Sequence, residues 1–158
     1  MTATGGHDSS WDSRRDLPQG ALAALERDVG DLVAIVATVD EDGAPRTAAF
    51  GAMRALSPRR LRFPCRRSHA TYANLVRDGR VMVALYAAPD VAVGVRGRAH
   101  VVREQLRSWP DNALIQVEVD EVKHDWVARL TITSGISYAV PEELVAHLDV
   151  VNAELLEP

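Results

Sequence analysis

Two adjacent arginines in Pro64-Cys-Arg-Arg-Ser-His-Ala-Thr-Tyr-Ala-Asn-Leu75 are the residues best suited to hold something anionic. They follow a short apolar run, Leu61 to Phe63, and precede a helix-like pattern that reaches Arg77. Guanidinium groups grip phosphate through paired, charge-assisted hydrogen bonds. The first turn of a helix adds free backbone N–H groups and the positive end of the macrodipole. Ser68 is a suitable N-cap. If the helix starts there, Ser68 and Thr71 stand one turn apart, and both hydroxyls could face one ligand. From these residues alone, a solvated arginine pair at a capped helix fits as well as an anion site.

Other chemistry is sparse. Cys65 lies beside Arg66 and Arg67, and two cations favour a thiolate. No base accompanies it, so a small apolar residue closing a strand is the simpler reading. His7, His69, His100, His124 and His147 are scattered and lack the spacing of metal ligands. No metal site is expected. The chain has no GxGxxG fingerprint, no phosphate-binding GxxxxGK loop and no GxSxG elbow. Gly94 to Arg98, GVRGR, has the wrong spacing and lies inside a strand pattern. No side chain can be given a proton-transfer role from the sequence.

The elements that must position these residues read mainly as strands. Residues 1–18 are expected to form a flexible polar arm, with Trp11 either an anchor or disordered with the rest. Residues 19–158 form a single domain. Pro18 can open a short helix, with Ala21 to Leu25 and Val29 favouring a helical face. Leu32 to Val39 is rich in β-branched residues, Asp40 to Gly43 is a turn cluster, and a second strand is expected from Arg46 to about Leu56. Together they make an antiparallel hairpin. Leu61 to Cys65 is a third strand, which should end or lie at an edge at Pro64. Asp78-Gly79 stops the following helix. Val81 to Ala87 and Val91 to Glu104 are further strands. In the latter, Val93, Val95, Gly97, Ala99 and Val101 oppose Arg96, Arg98 and His100, and Gly97 marks a bulge or bend. Leu114 to about Val127 and, more weakly, Leu130 to Tyr138 complete the set. Pro141 opens an amphipathic helix over residues 141–156. The turns are too short for parallel crossovers. The expected fold class is mainly β (α+β): a six- to seven-stranded antiparallel barrel with short peripheral helices.

Composition excludes several functions. The chain has 158 residues and a net charge of -4, which argues against general nucleic-acid binding. No apolar run reaches membrane-spanning length, and the N-terminal MTATGGHDSS lacks the apolar core of a signal peptide. One cysteine cannot form an internal disulfide, so the cytoplasm is the expected location.

The ordered set of motifs resembles one family. Val36 to Leu56 (VATVDEDGAPRTAAFGAMRAL), Leu61 to Tyr86 (LRFPCRRSHATYANLVRDGRVMVALY) and Val91 to Glu104 (VAVGVRGRAHVVRE) resemble the opening hairpin, phosphate-binding turn and "GRA" strand of the pyridoxamine 5'-phosphate oxidase-like proteins, the FMN-binding split β-barrel superfamily. The resemblance spans roughly residues 20–127. It implies a six-stranded split β-barrel, a homodimer with cofactor in clefts at the interface, and a flavin-dependent oxidoreductase acting on a small molecule. Arg66, Arg67, Ser68 and Thr71 would match the phosphate turn, and Asn74 the Asn of the family's helix. Arg46, Thr47, Ala48 and Ala49 would pass beside the isoalloxazine, with Phe63 and Pro64 lining the same cleft. Two departures stand out: Thr71 replaces a common Lys or Arg, and the chain ends VVNAELLEP rather than in a basic substrate-binding tail. Alternatives within the fold are the deazaflavin F420, with Arg96, Arg98 and Arg103 along its acidic tail, and a non-enzymatic flavin or haem module using His69 and His100.

Overall fold

A computed structural model describes residues 14–125 and 129–158. The elements run α1 (Gln19–Leu25), β1 (Ala34–Val39), β2 (Pro45–Phe50), β3 (Arg54–Ser57), β4 (Arg60–Arg66), α2 (Ala70–Arg77), β5 (Arg80–Ala87), β6 (Val91–Arg103), β7 (Asn112–His124) and α3 (Glu142–Leu155). The strands form one seven-stranded sheet in the order β2-β1-β5-β6-β7-β4-β3, and every pairing is antiparallel. This is the expected mainly β architecture. The sheet curls but does not close. Its two edges, β2 and β3, are consecutive in the chain, so residues 51–53 span the split.

Period-two burial builds the core. Ala34, Val36 and Thr38 of β1 point inward, as do Val93, Val95, Gly97 and Ala99 of β6. They meet Leu61, Phe63 and Cys65 of β4 and Leu17, Ala21 and Leu25 around α1. Strand β4 is buried on both faces. Its odd residues enter the core, while Arg62 faces α3 and donates to the Leu155 and Glu157 carbonyls and to Gln116. A second cluster of Leu106, Leu114, Val151 and Leu155 seats α3 on the outside of β4 and β7.

Gly97 sits at the register shift between β6 and β7. A Cβ there would lie 2.3 Å from the Glu118 carbonyl oxygen and 2.8 Å from Val117 Cγ1. Because the nearer clash is with backbone, Gly97→Ala is expected to destabilise the fold by about 3 kcal/mol. A clear fall in denaturant midpoint would show it, and an unchanged midpoint would contradict this role for the bulge.

Several expectations are corrected. The second strand is two strands, β2 and β3, because the chain turns at Gly51 to cross the split. The last strand begins at Asn112 and ends at His124. Leu130 to Tyr138 is not a strand: its backbone makes isolated hydrogen bonds rather than a ladder, Ile132 N–H to Pro89 in the β5–β6 turn, and Val33 N–H to Ile136 and Tyr138 N–H to Gly30 in the loop between α1 and β1. Ser68 does not cap α2, which has His69 at its N-cap and starts at Ala70. The β4 ladder to β3 ends at Arg62, which leaves Pro64 the open flank that its missing N–H requires. Trp11, His7 and most of the expected arm lie outside the described residues, as does the stretch just after β7. Arg14 bridges to Val122, and Leu17 is buried in the core. No helix among the described residues is long and apolar enough to cross a membrane.

Candidate functional site

The sheet fails to close where two hollows meet. One, of about 300 Å³, is lined by Arg66, Arg67, Ser68 and Asp111. The other, a cleft of about 430 Å³, is lined by Ala48 to Ala52 on one wall, by Pro64, Arg66 and Asn112 on the strand side, and by His69, Trp109, Tyr138 and Leu148. Arg66 belongs to both.

Strand register explains the strand-side wall. Pro64 pairs with Leu114, and Arg66 with Asn112. Directly opposed residues share a face, so Arg66, Pro64 and Asn112 face outward beneath α3. The C-terminal part of the chain supplies the cover. Leu148 comes from α3, whose His147 ring packs edge-on against Trp109 with centroids 5.6 Å apart. Tyr138 lies against Gly51, where a Cβ would fall within 1.8 Å of the tyrosine hydroxyl. Gly51 therefore permits a contact that any other residue would block. Burial pushes the Tyr138 phenol above its ordinary value, so it stays protonated at neutral pH.

Arg66 differs from most arginines of the sheet. Arg46 pairs with Asp40, Arg60 with Glu118, Arg80 with Asp78, Arg96 with Glu121, and Arg103 with Glu154. The Arg66 guanidinium has no hydrogen bond or ion pair among the described residues. Among the described residues, the Arg67 side chain makes only a 3.3 Å bond to the Pro110 carbonyl.

The expected site residues separate into four groups. Ala48, Ala49, Pro64 and Arg66 line the cleft, with Arg67 and Ser68 beside it. Phe63 and Thr71 are buried. Phe63 stacks edge-on with Phe50 at 4.8 Å, placing it behind the cleft wall. Ser68 is exposed in the turn and Thr71 is buried within the helix, so the two hydroxyls do not share a solvent-facing surface. Arg46 and Asn74 are engaged elsewhere. Asp40 accepts from Arg46 Nε at 2.7 Å and from Asn74 Nδ2 at 2.7 Å. Asn74 also donates to Thr38 Oγ1 and accepts from Arg77. The Arg46 hydrogen bond, then that from Asn74, holds the Asp40 carboxyl below the usual carboxylate range. This network ties the β1–β2 turn to α2. Thr47 lies exposed on edge strand β2, away from the cleft lining.

Cys65 is fully buried, and burial pushes its thiol up to about 12. The two neighbouring arginines do not activate it, because their side chains leave the sheet on the other face or lie beyond its end. Labelling by a thiol reagent at pH 8 is expected to run at least about 100-fold slower in native than in denatured protein. Equal rates would show an accessible thiolate. No cluster of three or more His, Cys, Asp or Glu suited to a metal occurs among the described residues.

Comparison with known proteins settles the family. The family model for pyridoxamine 5'-phosphate oxidase matches residues 24–124. The chain belongs to the pyridoxamine 5'-phosphate oxidase family. That match covers both edge strands, Arg66 and Asn112, but neither Tyr138 nor α3. Solved structures share the family fold. A Lactobacillus delbrueckii protein, itself a candidate pyridoxamine 5'-phosphate oxidase, is 24% identical with a TM-score of 0.58, over 69% of this chain and 94% of that one. A protein named F420 reductase is 22% identical with a TM-score of 0.54, over 67% and 98%. HupZ of Group A Streptococcus is 16% identical with a TM-score of 0.54, over 78% and 100%. No curated protein matches the chain.

Sequence reasoning missed Phe50 to Ala52, Trp109, Asn112, Tyr138 and Leu148 as parts of one cleft. Asn112 and Arg66 are brought opposite each other across α2, β5 and β6, and no local spacing signals that. The Gly51–Tyr138 contact likewise has no signature beyond the glycine itself.

Proposed function

We propose that this protein binds FMN in the cleft at the sheet's split and works as a flavin-dependent oxidoreductase on a small molecule. One observation carries the reading: Arg66 lines both the small cationic hollow and the larger, mostly apolar cleft. That arrangement suits a ligand with an anionic group at one end and a flat apolar body at the other. Arg66 and Arg67 would take the phosphate bidentately, with the N-terminus of α2 beyond them. Ala48 and Ala49 present small side chains, which let a planar ring approach edge strand β2. Trp109, Tyr138 and Leu148 would exclude water from its other side. Bound FMN would supply hydride or electron transfer, and the protein would supply orientation and electrostatics. Tyr138 and His69 are the groups lining the cleft that could hold a proton near a substrate.

The cation inventory favours FMN over F420. Arg96 is committed to Glu121, and Arg103 to Glu154 and Glu157, so two of the three arginines expected along an acidic tail are neutralised. Haem is disfavoured by position: His69 lines the cleft, whereas His100 lines a separate hollow beside the end of α2. A homodimer is part of the same reading. Strand β2 has one unpaired edge, and Met82, Tyr86 and Val102 expose apolar surface on the outer face of β5 and β6. Light scattering is expected to give twice the chain mass.

The deciding experiment is the visible spectrum of freshly purified protein, followed by mass spectrometry of what it releases on denaturation. Flavin absorbance and released FMN are expected. A colourless protein that also fails to quench added FMN fluorescence would refute the assignment.

A further inference from the structure

Asn112 is an anomaly that the FMN reading can explain. It is only 5% exposed, yet its Nδ2 has no hydrogen-bond partner. A buried amide donor without an acceptor costs about 1–3 kcal/mol, and proteins rarely keep one without a use. Its backbone is fully committed, with N–H to Trp109 and C=O to Leu106, so the side chain is held at a fixed place. That place lines the cleft, directly opposite Arg66 in the β4–β7 ladder and next to Asp111 of the cationic hollow. The terminal torsion of an asparagine is soft, so the amide can turn its donor edge to a bound acceptor.

We infer that Asn112 is a cofactor-binding residue whose amide donates to an oxygen of the ligand where the cationic hollow opens into the apolar cleft. The inference rests on the FMN reading and adds a specific donor to it. Arg66 supplies charge, which any anion satisfies. Asn112 supplies a directed neutral donor at the junction, where FMN carries phosphate and ribityl oxygens. A ligand lacking oxygen there would leave the amide orphaned and bind more weakly.

Asn152 on α3 provides an internal control. It is 6% exposed and its amide is also unpartnered, but it does not line the cleft. Asn112→Leu, Asn112→Asp and Asn152→Leu would be compared with the parent by FMN fluorescence quenching and by melting temperature without ligand. Both Asn112 variants are expected to weaken FMN at least about 10-fold, the order of one directed hydrogen bond. Asn112→Leu should melt no lower than the parent, because an orphan donor is removed. Asn152→Leu should leave affinity unchanged. Riboflavin identifies the acceptor: a penalty seen with FMN alone assigns the phosphate, and one seen with both assigns the ribityl chain or ring. Parent-like FMN affinity in a folded Asn112→Leu or Asn112→Asp protein would overturn the inference and leave the FMN reading standing. Failure of the parent itself to bind FMN would remove both.

Discussion

On the proposed FMN assignment, replacing Arg66 and Arg67 together with alanine is expected to weaken FMN binding by roughly 10²–10⁴-fold. A hydrogen bond to a charged group contributes about 1.5–3 kcal/mol, so two lost phosphate anchors cost about 3–6 kcal/mol of binding. The apo protein should be little affected. Both side chains are exposed, Arg66 has no partner among the described residues, and Arg67 loses one long bond to a carbonyl. Surface changes of that kind usually stay within about 0.5 kcal/mol. The signature is therefore loss of flavin through gel filtration, with an unchanged melting temperature for the apo form. FMN should raise the melting temperature of the parent and not of the variant. A variant that retains flavin would mean that the arginine pair is surface decoration and the phosphate lies elsewhere. Thr71 does not offset the loss, because it is buried within α2.

The second large effect is expected at the far side of the cleft cover. Glu154→Ala should cost about 2–4 kcal/mol of stability, chiefly by leaving the Arg107 and Ser108 N–H donors without an acceptor, since Arg103 and Arg107 themselves reach solvent. Glu154 is 3% exposed. Its carboxylate accepts from Arg103 at 2.7 Å, from the Arg107 N–H at 2.8 Å, and from Ser108 through N–H at 2.9 Å and hydroxyl at 2.6 Å. Removing it strands those donors and loosens the end of α3, and with it the helix that carries Leu148 into the cleft. Burial alone would raise its pKa, but the Ser108 and Arg107 hydrogen bonds and the Arg107 charge outweigh that and hold it at about 2.

Glu154 makes the stability of the fold depend on pH. The folded pKa lies below the ordinary carboxyl value, so the unfolded chain binds the proton more readily. The stabilisation is complete at neutral pH, declines as pH drops below about 5, and is gone below about 2. Glu154→Gln should flatten that part of the stability curve relative to the parent. Asp78, held at about 2 chiefly by its Arg80 hydrogen bond, titrates in both proteins and cancels in the difference. Equal acid sensitivity in parent and Glu154→Gln would show that the carboxylate is not what fastens the helix.

Sequence alone determined most of the strand content, the opening hairpin and the irregularity at Gly97. These are local signals: alternation of period two, turn residues, and a glycine where two backbones approach closely. Sequence also suggested a strand at Leu130 to Tyr138 and a cap at Ser68, and both failed for one reason. Local propensity proposes an element, but only a partner for its backbone groups makes one. The 130–138 segment finds isolated partners in two loops, and α2 starts after His69. Tertiary structure alone decided the lining of the candidate cleft. It drew Arg46 and Asn74 into a fastening around Asp40, sank Phe63 and Thr71, and left Arg66 uncommitted. It then set Asn112 opposite Arg66 and laid Tyr138 and Leu148 over both. Charge and polarity are written in the residues. Which charges are already neutralised, and which donors still lack an acceptor, depends on neighbours that are distant in the chain and adjacent only in the folded sheet.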